Sequence, residues 1–325
     1  MPAPVVVGTG FTALDVVLGT HGVGPAQVWA GGTCSNVLVG LSSLGWRAHS
    51  IARVGEDPAA DLLAADLGRN RVGTTFIERS ERRRTPIVMQ RTLGARRGHT
   101  SSFPTTCPNC DSKLPVPLPW RVQRDRAAQI IKEVGPVACV FIDHATPMGA
   151  ALAEAGAAAG AVVVVEPQVM GDRQSMARLM QTVHVLKYAR QWAWRTAGAR
   201  QLAQPMIEVE TLGSEGLRYR LEAGQWYDLP VPVADRVVDT VGAGDWLTTG
   251  LIHNVCMDGV DGLPQEPIGS LRTGLEAGQA LSLRTLTHRG ARGGMTADPP
   301  PGHDPALWNQ VPTTLGDVSS LCLHC

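Results

Sequence analysis

Apolar positions along the chain follow two alternating patterns. PVVVGTG at residues 4–10, ACVFID at 138–143 and AVVVV at 161–165 are short runs that are apolar almost throughout. Between them lie stretches whose apolar residues recur every three or four positions. In SNVLVGLSSLG, Val37, Leu38, Leu41 and Leu44 form one helical stripe that ends at Gly45. DPAADLLAADLG opens with Asp57 in an N-cap position and Pro58 at the first helical position, and its pattern stops at Gly68. TTFIER, TPIVMQRTL and HVLKY read as strands, whereas RVQRDRAAQIIKEVG, MGAALAEAGAAAG and the segment from Arg173 to Thr182 read as helices. MIEVETLG and a hairpin over GLRYRLEAGQWYDLPV come next, and a helix near Pro267–Thr285 closes the regular part. Apolar strands separated by helices predict a mainly parallel sheet covered on both faces. From Gly94 to Trp120 the periodicity vanishes, and DPPPGHDP begins an irregular tail.

Composition narrows the class. With 325 residues, 44% of them hydrophobic, the chain can bury a large core as one α/β domain with an appendage. A formal net charge of zero argues against broad nucleic-acid binding, which needs a basic face. The basic cluster Arg82, Arg83, Arg84, Arg91, Arg96 and Arg97 reads as a solvated loop or a local anion patch. The N-terminus lacks a basic leader, Asp15 interrupts its apolar run, and no stretch offers about 20 uncharged apolar residues. A cytoplasmic protein with no membrane partner is expected.

The tightest chemical signal is DTVGAGD at 239–245. Gly242 and Gly244 free the backbone so that amide groups can converge on one point, and WLTTGLIHNVCM continues at helical spacing. A helix N-terminus is an anion site, and Asp245 in its first turn is placed to take a proton from a hydroxyl beside that anion. Alternatively, Asp245 simply caps a helix.

Other segments favour the chemical reading. DTVGAGDWLTTG resembles the DTxGAGDxF signature of the ribokinase (PfkB) family of sugar and nucleoside kinases, and AGGTCSN at 30–36 resembles that family's GGxxxN signature. Asp15 sits where the family keeps an Asp for substrate hydroxyls, and TLGSEG at 211–216 resembles its nucleotide-contacting TLGxxG loop. The resemblance covers roughly residues 4–295 and implies a three-layer α/β/α fold with a small β lid built from parts of 10–30 and 74–105. It implies ATP-dependent phosphorylation of a hydroxyl on a sugar, sugar derivative or nucleoside. Asp245 would be the base, and the amides of Gly242, Ala243 and Gly244 the anion hole. Asp15, Gly31, Gly32 and Asn36 would hold the acceptor. Thr211, Gly213, Gly216, Thr240 and Lys187 would serve the nucleotide. Relatives often form dimers through the lid, so a homodimer is expected. No GxxxxGK[ST] run occurs, which excludes a P-loop kinase.

Two departures stand out. The family's Asn-x-x-Glu motif has no counterpart in HVLKYARQWAW, and EPQ with Glu166 and Gln168 replaces the usual Asp-Pro-Asn. Mg²⁺ is then expected to ride mainly on the nucleotide. A nucleotide- or sugar-binding protein with weakened catalysis is the alternative function. The second departure is CPNC at 107–110 and CLHC at 322–325, two CxxC units of the kind that bind zinc through Cys107, Cys110, Cys322 and Cys325. Zinc would staple a tail at 298–325 to an insertion at about 94–120 of a kinase domain at 1–297. Two disulfides or unconnected thiols are the alternatives, and His99 and His324 are nearby imidazoles. Cys34, Cys139 and Cys256 stand alone and read as buried core residues.

Overall fold

The computed structural model describes residues 2–19, 24–92, 101–116, 124–169, 171–193, 206–322 and 325. Arg96, Arg97, His99 and His324 lie outside them. Among the described residues nine strands form the main sheet. In chain order they are β1 (Val5–Thr9), β4 (Arg47–Gly55), β5 (Ile77–Ser80), β8 (Cys139–His144), β9 (Val162–Val169), β10 (Val185–Ala189), β11 (Ile207–Thr211), β12 (Leu217–Leu221) and β13 (Tyr227–Leu229). Their spatial order is β13-β12-β11-β10-β9-β8-β1-β4-β5; pairing is parallel throughout except at β12 and β13, which form the antiparallel edge.

Side-chain alternation explains why the central strands are apolar throughout. Val6, Cys139, Phe141, Val162 and Val164 enter one core, whereas Val5, Val7, Val140, Ile142, Val163 and Val165 enter the other. The first core is covered by α1 (Thr33–Ser43), α6 (Ala243–Val255) and α7 (Ser270–Leu286) through Leu38, Leu41, Leu251, Ile252 and Leu275. The second is covered by α3 (Arg124–Val134), α4 (Pro147–Ala158) and α5 (Arg173–Thr182) through Ile130, Leu152 and Leu179. The result is a three-layer α/β/α sandwich. Cys34, Cys139 and Cys256 are buried within it.

Boundaries differ from the sequence pattern at two helices. The helix α2 (Pro58–Arg69) has the expected Asp57 cap, its side chain accepting from the Ala60 amide at 3.0 Å, but runs through Gly68 to Arg69. The last helix starts at Ser270 rather than Pro267, because Gly269 takes φ 97, which no helix interior accommodates.

A second sheet forms the lid, from β2 (Ala13–Leu18), β3 (Ala26–Gly31), β6 (Ile87–Thr92), β7 (Ser101–Ser102) and β14 (Thr313–Leu315), in the order β14-β3-β2-β6-β7. Leu14, Val16, Val28, Ala30 and Met89 turn one lid face into the first core. Alternation gives Asp15, Trp29 and Gly31 the opposite face. The tail is not wholly irregular. Its strand β14 pairs with β3, setting Thr313 opposite Val28 and Leu315 opposite Ala26. Three residues carry too little periodicity to announce a strand; only the waiting edge of β3 makes them one. Among the described residues no helix is long and apolar enough to cross a membrane.

Candidate active site

The parallel strands of the main sheet deliver Thr9, Asp143, Glu166, Lys187 and Thr211 towards one rim, and α1 and α6 start beside it. In open α/β sheets this carboxyl rim is where ligands bind.

Gly242 is the N-cap of α6, at φ 81, and no side chain caps the helix. A β-carbon on Gly242 would lie 2.5 Å from Ala291 Cα, so glycine is required both for the left-handed backbone and for the close approach. The first amides of α6 are therefore left to meet an anion. Asp245 is the third residue of the helix, not its cap. It is buried, and its Oδ2 accepts a 2.7 Å bond from Asn36 Nδ2. Burial pushes its carboxyl up to about 6; the Glu166 charge adds to the rise, while Asn36, Lys187 and the Thr33 hydroxyl hold it back.

Asn36 sits in the first turn of α1, whose N-cap is Gly32 at φ 81. Its Oδ1 is buried and has no hydrogen-bond partner among the described residues. Asp15 lies in the middle of β2 and accepts from the Gly32 amide. A β-carbon on Gly31 would fall 1.9 Å from the Asp15 carboxylate, so the two residues share one tight cradle. Burial pushes Asp15 up to about 7, with Arg292 opposing the rise and Asp245 adding to it. Gly31→Ala is accordingly expected to displace the Asp15 carboxylate. An acceptor that binds there should show its KM raised about tenfold or more, with the KM for ATP unchanged, in steady-state kinetics.

Beneath α6 lies a buried polar cluster. Lys187 Nζ is 2.5 Å from Glu166 Oε1 and 3.2 Å from the Gly244 carbonyl oxygen. Gln168 donates to Glu166 Oε1 at 2.9 Å, and Thr248 donates to Oε2 at 2.5 Å. Both Glu166 oxygens are thus engaged inside the protein, and Lys187 faces the underside of the glycine turn.

The loop from Thr211 to Gly216 is a hairpin turn between β11 and β12, closed by the Leu212 amide donating to the Gly216 carbonyl at 2.8 Å. Gly216, at φ 101, passes so close to Leu229 that a β-carbon would lie 2.3 Å from its carbonyl oxygen. Gly213, at φ 65, has open space where a side chain would be. Thr240 is exposed just ahead of the α6 cap.

Several participants are not among the residues the sequence singled out. Asp143, a carboxylate ending the apolar strand β8, accepts from the Phe11 amide at 2.6 Å and the Cys34 amide at 2.8 Å, tying the Gly10 turn to α1. Its charged place at a strand end was the available signal. Asp239 stands in the DTVGAGD run itself; it accepts from Ser101 Oγ at 2.9 Å, the Gly290 amide at 2.8 Å and Gln90 Nε2, so two lid side chains reach it. Arg292 pairs with Asp66 of α2 and lies 5.8 Å from the Trp29 ring. Trp29, packed between that guanidinium and Gly290, is buried rather than presented as a stacking platform.

The two CxxC units meet. Cys107, Cys110, Cys322 and Cys325 bring their four Sγ atoms within 4.8 Å of one another. Cys107 with Cys325 and Cys110 with Cys322 are 3.5 Å apart, so the four thiols are gathered at one place rather than scattered. The CPNC turn is closed by the Cys107 amide donating to Ser112 at 2.8 Å and the Asp111 amide to Cys107 at 3.0 Å, with Asp111 at φ 56. Hydrogen bonds from the Ser112 hydroxyl and amide hold the Cys110 thiol down at about 6.

A mainly parallel α/β/α sheet with a β lid, a carboxylate in the first turn of an uncapped helix and a second carboxylate under the lid are arranged as in the ribokinase-like fold. Residues 19–102 match the family model described as pfkB family carbohydrate kinase. A fructokinase of Klebsiella pneumoniae is 27% identical over 289 residues, spanning 83% of this chain and 88% of that one. Among solved structures, the fructokinase of Xylella fastidiosa with bound ATP superposes with a TM-score of 0.67 at 17% identity, covering 90% and 94% of the two chains. The ribokinase of Arabidopsis thaliana complexed with ribose and ATP gives 0.62 at 18% identity, covering 90% and 95%. The chain is thus similar to pfkB family carbohydrate kinases, over residues 19–102 for the family model and over most of its length for the fructokinase.

Proposed function

We propose that the protein transfers the γ-phosphoryl group of ATP to a hydroxyl of a monosaccharide or a close derivative. The observation that carries this is the Asn36–Asp245 contact. It joins the GG loop under the lid to the first turn of α6 and leaves Asn36 Oδ1 buried and unpartnered, an acceptor suited to a hydroxyl. Asp15, Gly31, Gly32 and Asn36 would orient the acceptor, and Asp245 would take the proton of the attacking oxygen. The amides of Gly242, Ala243 and Gly244 would face the transferred phosphoryl, with Lys187 adding positive charge from below. Thr211, Gly213, Gly216 and Thr240 would border the nucleotide, and Gly213 has the open space for it. Because both Glu166 oxygens are already bonded, Mg²⁺ would be carried by phosphates and water rather than by that carboxylate. The fructokinase and ribokinase likenesses favour a sugar over a nucleoside.

The four-thiol cluster is read as a structural zinc site. A Zn–S bond of about 2.3 Å sets thiolates about 3.8 Å apart along the edges of a tetrahedron, within the range of separations found here. The Ser112 hydrogen bonds to Cys110 are the outer-shell support that thiolate ligands use.

The test is ADP formation with Mg·ATP across fructose, ribose, other monosaccharides and nucleosides. Acceptor-dependent ADP with at least one monosaccharide is expected. Nucleotide binding with no acceptor-dependent ADP would instead favour a binding protein with weakened catalysis.

A further inference from the structure

The lid of this protein is strapped by its own C-terminus. The strand β14 lies on the outer edge of β3, at one side of the lid sheet. Residues beyond it carry Cys322 and Cys325 to the CPNC turn, which follows β7 at the opposite side. The path between is anchored. Leu321 is buried in the first core, and the turn after CPNC returns to the lid through the Ile87 amide, which donates to the Pro115 carbonyl at 3.2 Å.

The strap also reaches the acceptor cradle by direct bonds. Arg69 donates to Thr313 Oγ1 of β14 at 2.8 Å and pairs with Asp66 at 3.0 Å. Asp66 in turn accepts from the Ala30 amide at 2.9 Å and from Arg292. Ala30 immediately precedes Gly31, whose backbone lies against the Asp15 carboxylate. A three-residue strand is too short to hold an edge alone. Besides the core contacts of Val318 and Leu321, the thiol cluster constrains it further by closing a loop from residue 107 to residue 325.

We propose that the metal held by Cys107, Cys110, Cys322 and Cys325 locks β14 onto the lid, and that this lock sets acceptor affinity through the Thr313–Arg69–Asp66–Ala30 contacts. The proposal rests on reading the cluster as a zinc site. It also assigns the outer edge of β3 to the chain's own tail, so that β14 becomes the edge strand of the lid sheet on that side.

The experiment compares three full kinetic profiles: wild type purified without a His-tag, the full-length variant Cys322→Ser/Cys325→Ser, and a chain ending at Pro312. Zinc content, KM for acceptor and KM for ATP are measured for each, with circular dichroism to establish folding and light scattering to give mass. Wild type is expected to hold about one zinc per chain. Both variants are expected to lose it and to show acceptor KM raised about tenfold, with KM for ATP within about twofold of wild type. The truncated chain, with its β3 edge bare, is expected to self-associate. Loss of zinc and tail with an unchanged acceptor KM would overturn the coupling. Less than half an equivalent of zinc in wild type, with four titratable thiols, would overturn the metal lock, and the truncation would then report only on whether β14 itself sets acceptor affinity. If the truncated chain does not fold, the full-length variant supplies the same kinetic comparison.

Discussion

Asp245→Asn should lower kcat by about a thousandfold while leaving the dissociation constant for ATP within a few-fold of wild type. Asparagine keeps the size of the side chain and can still bond to Asn36, so the first turn of α6 should persist; what disappears is the proton acceptor. Stability separates this from misfolding. The Asp245 carboxyl is raised to about 6 in the fold by burial, against 3.8 ordinarily. Its ionised form is therefore penalised in the folded state, and that cost is present above about pH 6 and fades as pH falls towards 4. The variant should melt no lower than wild type at pH 7.5, and any advantage should shrink on acidification. Wild-type kcat/KM should itself fall as pH drops through about 6. Because the Asp245 charge also raises Asp15, the acid limb reports both carboxyls rather than one residue.

The second large effect is structural. Lys187→Met should destabilise the protein by about 3–5 kcal/mol in denaturant unfolding, because it strands the buried Glu166 carboxylate without its cation. Side-chain exposures of 2% and 5% leave water little access to either partner. Replacing both, as Lys187→Met with Glu166→Leu, should recover much of the loss, since packed apolar side chains often match a buried ion pair in stability. Activity should not recover with it if Lys187 contributes charge beneath Gly244. A double variant that regained both stability and full kcat would reduce Lys187 to a packing role.

Much of this architecture was legible in the chain. Strands such as ACVFID are apolar on both faces because both faces are covered, and Asp57-Pro58 starts a helix by local capping alone. The glycine turn before Asp245 was legible for the same reason, since a left-handed cap and an uncapped helix start are properties of a few adjacent residues. The lid edge was not. Thr313–Leu315 has no strand signal of its own, and β14 exists because β3 offers an unpaired edge. Arg292 was equally silent, and Asp143 showed only its charge at a strand end; their contacts are with an α1 amide and an α2 carboxylate that are distant in sequence.

The sequence by itself determined the layered α/β class, the signature-like motifs, the placing of a carboxylate beside a glycine turn at a helix start, and the two CxxC units. Periodicity, capping and short motifs are local, and local spacing is what a sequence displays. Only the tertiary structure decided that Asn36 meets Asp245, that Lys187 is consumed by Glu166 beneath the glycine turn, and that thiols 212 and 218 residues apart converge. Each of these contacts joins segments tens to hundreds of residues apart, and they meet only because packing the sheet and its helices brings them together.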